Sequence, residues 1–131
     1  MNTQYPDDLL YTKDHEWARL EKQTATVGIT TFAVEQLGDI TQVDLPREGE
    51  TVRKGEVFGT VESVKAVSDL FAPFSGKVIK VNDPLKDSPE NINEEPYEEG
   101  WMVQIECSNL EQERGDLMDA QAYQDYLREQ S

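Results

Sequence analysis

The stretch Gly59–Asn82, GTVESVKAVSDLFAPFSGKVIKVN, sets one lysine, Lys65, between two runs that read as short strands. So little chain joins the runs that a tight β-hairpin is the local solution, spanning about residues 57–72 with Lys65 at its tip. Upstream, Val57, Gly59 and Val61 alternate with Phe58, Thr60 and Glu62, which predicts a strand with one face on a core. Val61 and Leu70 are the expected anchors of the two hairpin strands. Pro73 marks a strand end or edge, and PFSG separates the hairpin from a further strand in KVIKVN.

The flanking chain keeps the same short-strand habit. HEWARL and TATVGI, separated by EKQ, predict a second hairpin. In TTFAVEQLGD the pattern changes: Thr30 or Thr31 can cap a helix, Phe32, Ala33 and Leu37 fall on helical spacing, and Gly38 can end it. DITQVDLPREGETV predicts a strand with one irregularity, through Ile40, Val43 and Leu45, followed by a turn at PREGE. Residues 83–100, DPLKDSPENINEEPYEEG, show no sustained period and predict a long packed or functional loop. WMVQIEC returns as a strand. GDLMDAQAYQDYLREQS predicts a terminal helix over about 116–129, with Asp116 as cap and Leu117, Ala120, Tyr123 and Leu127 on one face.

At 131 residues the chain is the size of one domain, 1–131, and many short strands with two helices point to a mainly β sandwich or barrel. Its formal net charge of -15 disfavours nucleic acid and anionic membranes as partners. No apolar run approaches the roughly 18 residues of a membrane span. The opening residues, MNTQYPDDLLYTKDHEW, lack the order of a signal peptide and the Arg-rich pattern of a transit peptide, so the expected compartment is the cytoplasm. The mitochondrial matrix would require a transit peptide already removed.

Catalytic and metal constellations are sparse. Cys107 is the one cysteine and His15 the one histidine, so a multi-thiolate metal site is excluded and a zinc or nucleophile–base site would have to be assembled from very sparse material. No phosphate-cradling glycine motif or G-x-S-x-G elbow occurs. The acidic run from Glu94 to Glu99 lacks EF-hand spacing and is expected to be solvated. With 27 acidic residues, no carboxylate pair stands out by type alone.

The residues around Lys65 are more specific than the lysine itself. Glu62, Ser63, Lys65 and Ala66, followed by Ser68-Asp69, Pro73 and Ser75-Gly76, resemble the lipoyl-attachment segment of the glycine cleavage system H protein family. The resemblance extends in order through YTKDHEWARL, VGITTFAVEQLGDI, VDLPREGETVRKGEVFG, NEEPYEEGWMVQIE and LMDAQAYQDYL. Biotinyl domains are similar in architecture but carry Met-Lys-Met at the target. Lipoyl domains of 2-oxo acid dehydrogenases are shorter and show Asp-Lys-Ala, where this chain has Val64 and a terminal helix.

The resemblance implies a lipoyl/biotinyl-type barrel-sandwich hybrid of antiparallel sheets and a non-catalytic carrier with lipoate covalently attached to Lys65. The implied partners are the P protein, a pyridoxal-phosphate glycine decarboxylase, the T protein, an aminomethyltransferase using tetrahydrofolate, and the L protein, the flavoprotein dihydrolipoyl dehydrogenase. Lipoate-attaching enzymes complete the set. The carried aminomethyl group is expected to be sheltered by carboxylates at the positions of Glu16, Asp69 and Asp14; position 14 is often Ser in relatives. His15, between two of them, is a further cleft-wall candidate. The alternative role is an octanoyl or lipoyl relay in lipoate assembly, which would use the same lysine. Amide formation would take the formal net charge from -15 to about -16, because the lysine charge is lost.

Overall fold

The computed structural model describes residues 5–130; the first four residues of the opening segment and Ser131 lie outside it. Among the described residues nine strands form two antiparallel sheets. β1 (Leu10–Tyr11), β2 (Glu16–Glu21), β3 (Thr24–Ile29), β5 (Thr51–Val52), β8 (Gly76–Val81) and β9 (Val103–Cys107) make a six-stranded sheet in the order β1-β2-β3-β9-β8-β5. β4 (Ile40–Asp44), β6 (Val57–Ser63) and β7 (Val67–Phe71) make the second, in the order β4-β6-β7. This is the barrel-sandwich arrangement implied above, with both sheets left open at their edges.

Alternating apolar residues from both sheets meet in one core. Val27 and Ile29 of β3, Val78 of β8 and Ile105 of β9 face Val43 of β4, Val61 of β6 and Leu70 of β7. Val61 and Leu70 are buried, as their place in the hairpin predicted. Fully burying an aliphatic side chain of this size contributes about 1.5–3 kcal/mol, so these anchors fix the register of β6 on β7. The expected alternation along β6 fails at one point. A bulge at Phe58 brings both Phe58 and Val61 inside and leaves Val57 half exposed. An extra residue reverses the facing of the strand beyond it. The irregularity predicted for β4 lies between Ile40 and Gln42.

The internal helix, α1 (Thr31–Leu37), starts and stops where its caps predict. Thr30 Oγ1 accepts from the Ala33 N–H at 3.3 Å, and Gly38 closes the helix with φ 77°. Residues 83–100, in contrast, are not a structureless loop. They hold a 3-10 turn (Asp83–Lys86) and a short helix, α2 (Glu90–Glu94), each pinned by one fully buried side chain, Leu85 and Ile92. Elements of one turn are too short to show a period, and their prolines read only as breakers. Glu94, Glu95, Glu98 and Glu99 are exposed, as expected of a solvated acidic run.

The terminal helix begins later than predicted. Leu110–Glu113 form a further short helix, α3, and Asp116 ends a 3-10 turn rather than capping anything. Met118 then pairs with Tyr11 of β1 through two backbone hydrogen bonds, which holds the chain extended and postpones the helix. The cap is Asp119, whose Oδ1 accepts from the Ala122 N–H at 2.8 Å, and α4 runs Ala120–Gln130. Beneath α4 lies a second cluster that includes Leu9, Tyr11, Trp17, Tyr97 and Tyr123. Tyr11 and Tyr123 stack at 4.7 Å, and Trp17 Nε1 donates to the Pro96 carbonyl at 2.9 Å. A Cβ at Gly28 would come within 2.7 Å of the Trp17 ring, so only glycine fits behind it.

Candidate functional site

Lys65 stands exposed at the tip of the β6–β7 hairpin, where the sequence placed it. The Ser63 N–H donates to the Ala66 carbonyl at 2.8 Å, closing a loop of Val64 and Lys65. Neither residue has positive φ, so this is not the mirror-image turn common in two-residue hairpins. The Ser63 side chain does the work instead. Its Oγ accepts from the backbone N–H groups of Lys65 and Ala66, each at 3.1 Å. Serine two and three residues before the amides it serves is a recognisable turn signature, and it is the signal that reading Ser63 only as a small residue passes over.

The tip is also tied to the body of the molecule. The Val64 N–H donates to the Asp39 carbonyl at 3.2 Å, and a Cβ on Gly38 would lie 3.4 Å from Lys65 Cε. The lysine stem therefore rests over the end of α1. Val64 and Val67 on either side are 70% and 64% exposed, an unusual amount of apolar surface around one amine.

The candidate carboxylates occupy different environments. Glu16, at the start of β2, is 1% exposed. Its Oε1 accepts from Thr12 Oγ1 at 2.6 Å and its Oε2 from the Phe71 N–H at 3.1 Å, so it joins β2 to the end of β7. Burial pushes its pKa up to about 7, against the lowering effect of those hydrogen bonds; the charge of Asp14 pushes the same way as burial. Asp14 and Asp69 are both exposed. Asp14 and Glu16 share a cleft of about 200 Å3 with Thr12, Lys54, Phe71 and Asp116. Two lysines, Lys13 and Lys54, also line it, so its charge is mixed. Asp69 lies two residues before Phe71 on the same face of β7, about 7 Å along the strand and outside the lining of that cleft.

His15 goes elsewhere. Its ring packs on Phe32 at 4.5 Å, and its Nδ1 lies 2.8 Å from the Tyr123 hydroxyl, which also meets Thr30 Oγ1 at 2.9 Å. Burial lowers its pKa, so the imidazole is neutral near pH 7. Its φ of 71° is the left-handed region, a strained conformation for histidine. This conformation turns the chain between Asp14 and Glu16, with Asp14 in solvent and Glu16 buried.

Larger hollows of about 300 and 490 Å3 lie around Arg19, Thr26 and Gln104 on the six-stranded sheet and contain none of these candidates. Among the described residues no three His, Cys, Asp or Glu side chains gather as metal ligands. No helix among them is long and apolar enough to cross a membrane.

Residues 9–130 match the family model described as glycine cleavage H-protein. The chain belongs to that family. A glycine cleavage system H protein from Anaeromyxobacter sp. is 60% identical over 125 residues, covering 95% of this chain and 97% of that protein. One from Rubrobacter xylanophilus is 52% identical, covering 95% and 96%. The crystal structure of a glycine cleavage system H protein from Mycobacterium marinum superposes with a TM-score of 0.85 at 42% identity, covering 92% of this chain and 96% of that one. Membership in the H-protein family accounts for a carrier-type hairpin in a chain whose residue types offer so little catalytic material.

Proposed function

We propose that this chain is the lipoyl carrier of the glycine cleavage system, with lipoate joined to the Lys65 amine. The observation that carries the reading is an exposed lysine on a braced hairpin tip, within E-S-V-K-A, in a chain of the H-protein family. The residues suit the group: the amine is open to solvent, small Ser63 and Ala66 flank it closely, and the turn beneath is fixed by hydrogen bonds. When bound there, lipoate supplies a dithiolane that takes up the aminomethyl fragment of glycine at sulfur while being reduced.

The chain's own contribution is placement and shelter. Lys65 presents the arm away from the sheet so that the P, T and L proteins can each reach it. Exposed Asp69 and Asp14 meet a cationic amine from solvent, while Glu16 meets it from the cleft floor with each oxygen already accepting one hydrogen bond. Phe71 and Pro73 line the cleft beside Glu16 and give it an apolar wall. No residue of the chain makes or breaks a substrate bond in this reading, and it is a carrier rather than an enzyme, working in the cytoplasm. With a net charge of -15, docking to the partners is expected to be steered by their basic surfaces and to weaken as salt rises.

Reconstitution tests the reading. Lipoylated wild type should support glycine-dependent reduction of NAD when the P, T and L proteins and tetrahydrofolate are supplied, and Lys65→Arg should support none. Full turnover with Lys65→Arg would overturn it. The relay alternative is not favoured by the family match; it would show as transfer of an octanoyl group from this chain to a second lipoyl domain without the P and T proteins.

A further inference from the structure

The segment 83–100 supports the tip through α2. Asn93 of α2 is half-buried and turns its amide toward the junction between α1 and β4. Its Nδ2 donates to the Gly38 carbonyl at 2.8 Å, and its Oδ1 accepts from the Ile40 N–H at 2.9 Å. One planar amide thus grips the backbone on both sides of Asp39. Asp39 in turn accepts the N–H of Val64, the residue before Lys65, at 3.2 Å. Gly38, with φ 77°, is the surface on which the Lys65 stem lies, since a Cβ there would stand 3.4 Å from Cε. The neighbouring Ile92 is fully buried and keeps α2 in place.

We propose that Asn93 is a positioning residue for Lys65: its amide clasps Gly38 and Ile40 and so fixes the floor and the Asp39 carbonyl that hold the hairpin tip in the form acylated by the lipoate-attaching enzyme. The inference rests on Lys65 being the attachment site. Side chains distant in sequence satisfy a helix end in many ways; here both partners flank the residue whose carbonyl accepts the Val64 N–H. Without the clasp, residues 38–40 lose two directional bonds, the Val64 amide loses its fixed acceptor, and the tip spreads over several orientations. An enzyme that docks one orientation then meets a smaller competent fraction, and its apparent affinity falls by that fraction.

The test compares Asn93→Ala, Asn93→Asp, which keeps the acceptor for Ile40 but loses the donor to Gly38, and Ile92→Val, which loosens α2 without touching the clasp. Each full-length chain is incubated with lipoate, ATP and a lipoate–protein ligase, and the adduct is followed by intact mass. Hydrogen exchange is read at the Val64 amide. Asn93→Ala should lower kcat/KM for attachment about ten-fold, mainly through KM, as when the competent form falls to about a tenth of the population. It should speed Val64 exchange by a similar factor. Asn93→Asp should fall between it and wild type, and Ile92→Val should change neither readout despite a lower Tm. Wild-type attachment and exchange rates in Asn93→Ala would overturn the proposal. So would equal slowing in Asn93→Ala and Ile92→Val at the same loss of Tm, which would mark Asn93 as structural only. Should wild type take no acyl group at Lys65, the reading of Lys65 fails instead, and exchange at Val64 still decides whether the clasp exists.

Discussion

Lys65 at the tip of the β6–β7 hairpin and Glu16, which bonds the far end of β7 from β2, are held by opposite means. Around Lys65 the side chain is in water, and order comes from the backbone, through Ser63 Oγ below the turn and Asp39 beside it. Around Glu16 the side chain is itself the tether, with one oxygen on Thr12 and the other on the Phe71 N–H, at the cost of burying a carboxyl group. In the proposed role the tip enters other enzymes and keeps little buried contact, so its order is local and polar. In the proposed role a cleft floor shelters the carried group, and Glu16 is accordingly held from the inside. The difference makes clear forecasts: substitutions at the floor should cost stability and depend on pH, whereas substitutions at the tip should cost function and little else.

The largest effect is expected at Glu16. A carboxyl shifted from its usual 4.5 to about 7 carries no penalty below pH 4.5, where native and unfolded chains are both protonated. As pH rises toward 7 the unfolded chain releases its proton while the native chain keeps it, so stability falls, by about 3 kcal/mol in all, and then levels. Denaturant unfolding of Glu16→Gln against wild type should lack this decline. Parallel profiles from pH 4.5 to 7 would show that burial does not hold the Glu16 proton, and would remove half of the contrast with the tip.

Thr12→Val sharpens the same side. It deletes the donor to Glu16 Oε1 and the acceptor of the Asp14 and Glu16 amides, a loss of about 1–3 kcal/mol. Because the Thr12 hydrogen bond lowers the Glu16 pKa, the deficit should be greater at pH 8 than at pH 5 when followed by thermal or denaturant unfolding. A deficit independent of pH would separate Thr12 from the ionisation of Glu16. At the tip, Ser63→Ala should cost only about 0.5–1 kcal/mol, because water can replace Oγ on exposed amides, yet exchange at Lys65 and Ala66 should quicken markedly. Lys65→Arg should change unfolding free energy by less than about 0.5 kcal/mol, and a larger loss would mean the exposed lysine has a packing role.

Legibility in the sequence followed the same divide. The hairpin, its anchors Val61 and Leu70, the Thr30 cap and the Gly38 stop are all set by neighbours within a few residues, and local pattern sufficed for them. The late start of α4 depends on Met118 pairing with Tyr11, more than a hundred residues away, which no local cap signal could reveal. The bulge at Phe58 is invisible in a run where both faces carry apolar residues. α2 was hidden because its proline and glutamates read as loop, while its one buried side chain, Ile92, gave no period. At the site, Lys65 stood out by its motif, but Glu16 is held by a local turn through His15 that brings Thr12 onto one oxygen and by the distant Phe71 N–H on the other, neither of which residue type alone reveals. Sequence reasoning grouped His15 with the carboxylates by adjacency; backbone geometry directs its ring to Phe32 and Tyr123 instead.

The site of acyl attachment is the most direct test of Lys65. Protein incubated with lipoate, ATP and a lipoate–protein ligase, then digested and mapped by mass spectrometry, should carry one lipoyl group on the peptide containing Lys65 and none on Lys54, Lys77 or Lys80. An adduct on any of those three with Lys65 unmodified would contradict it.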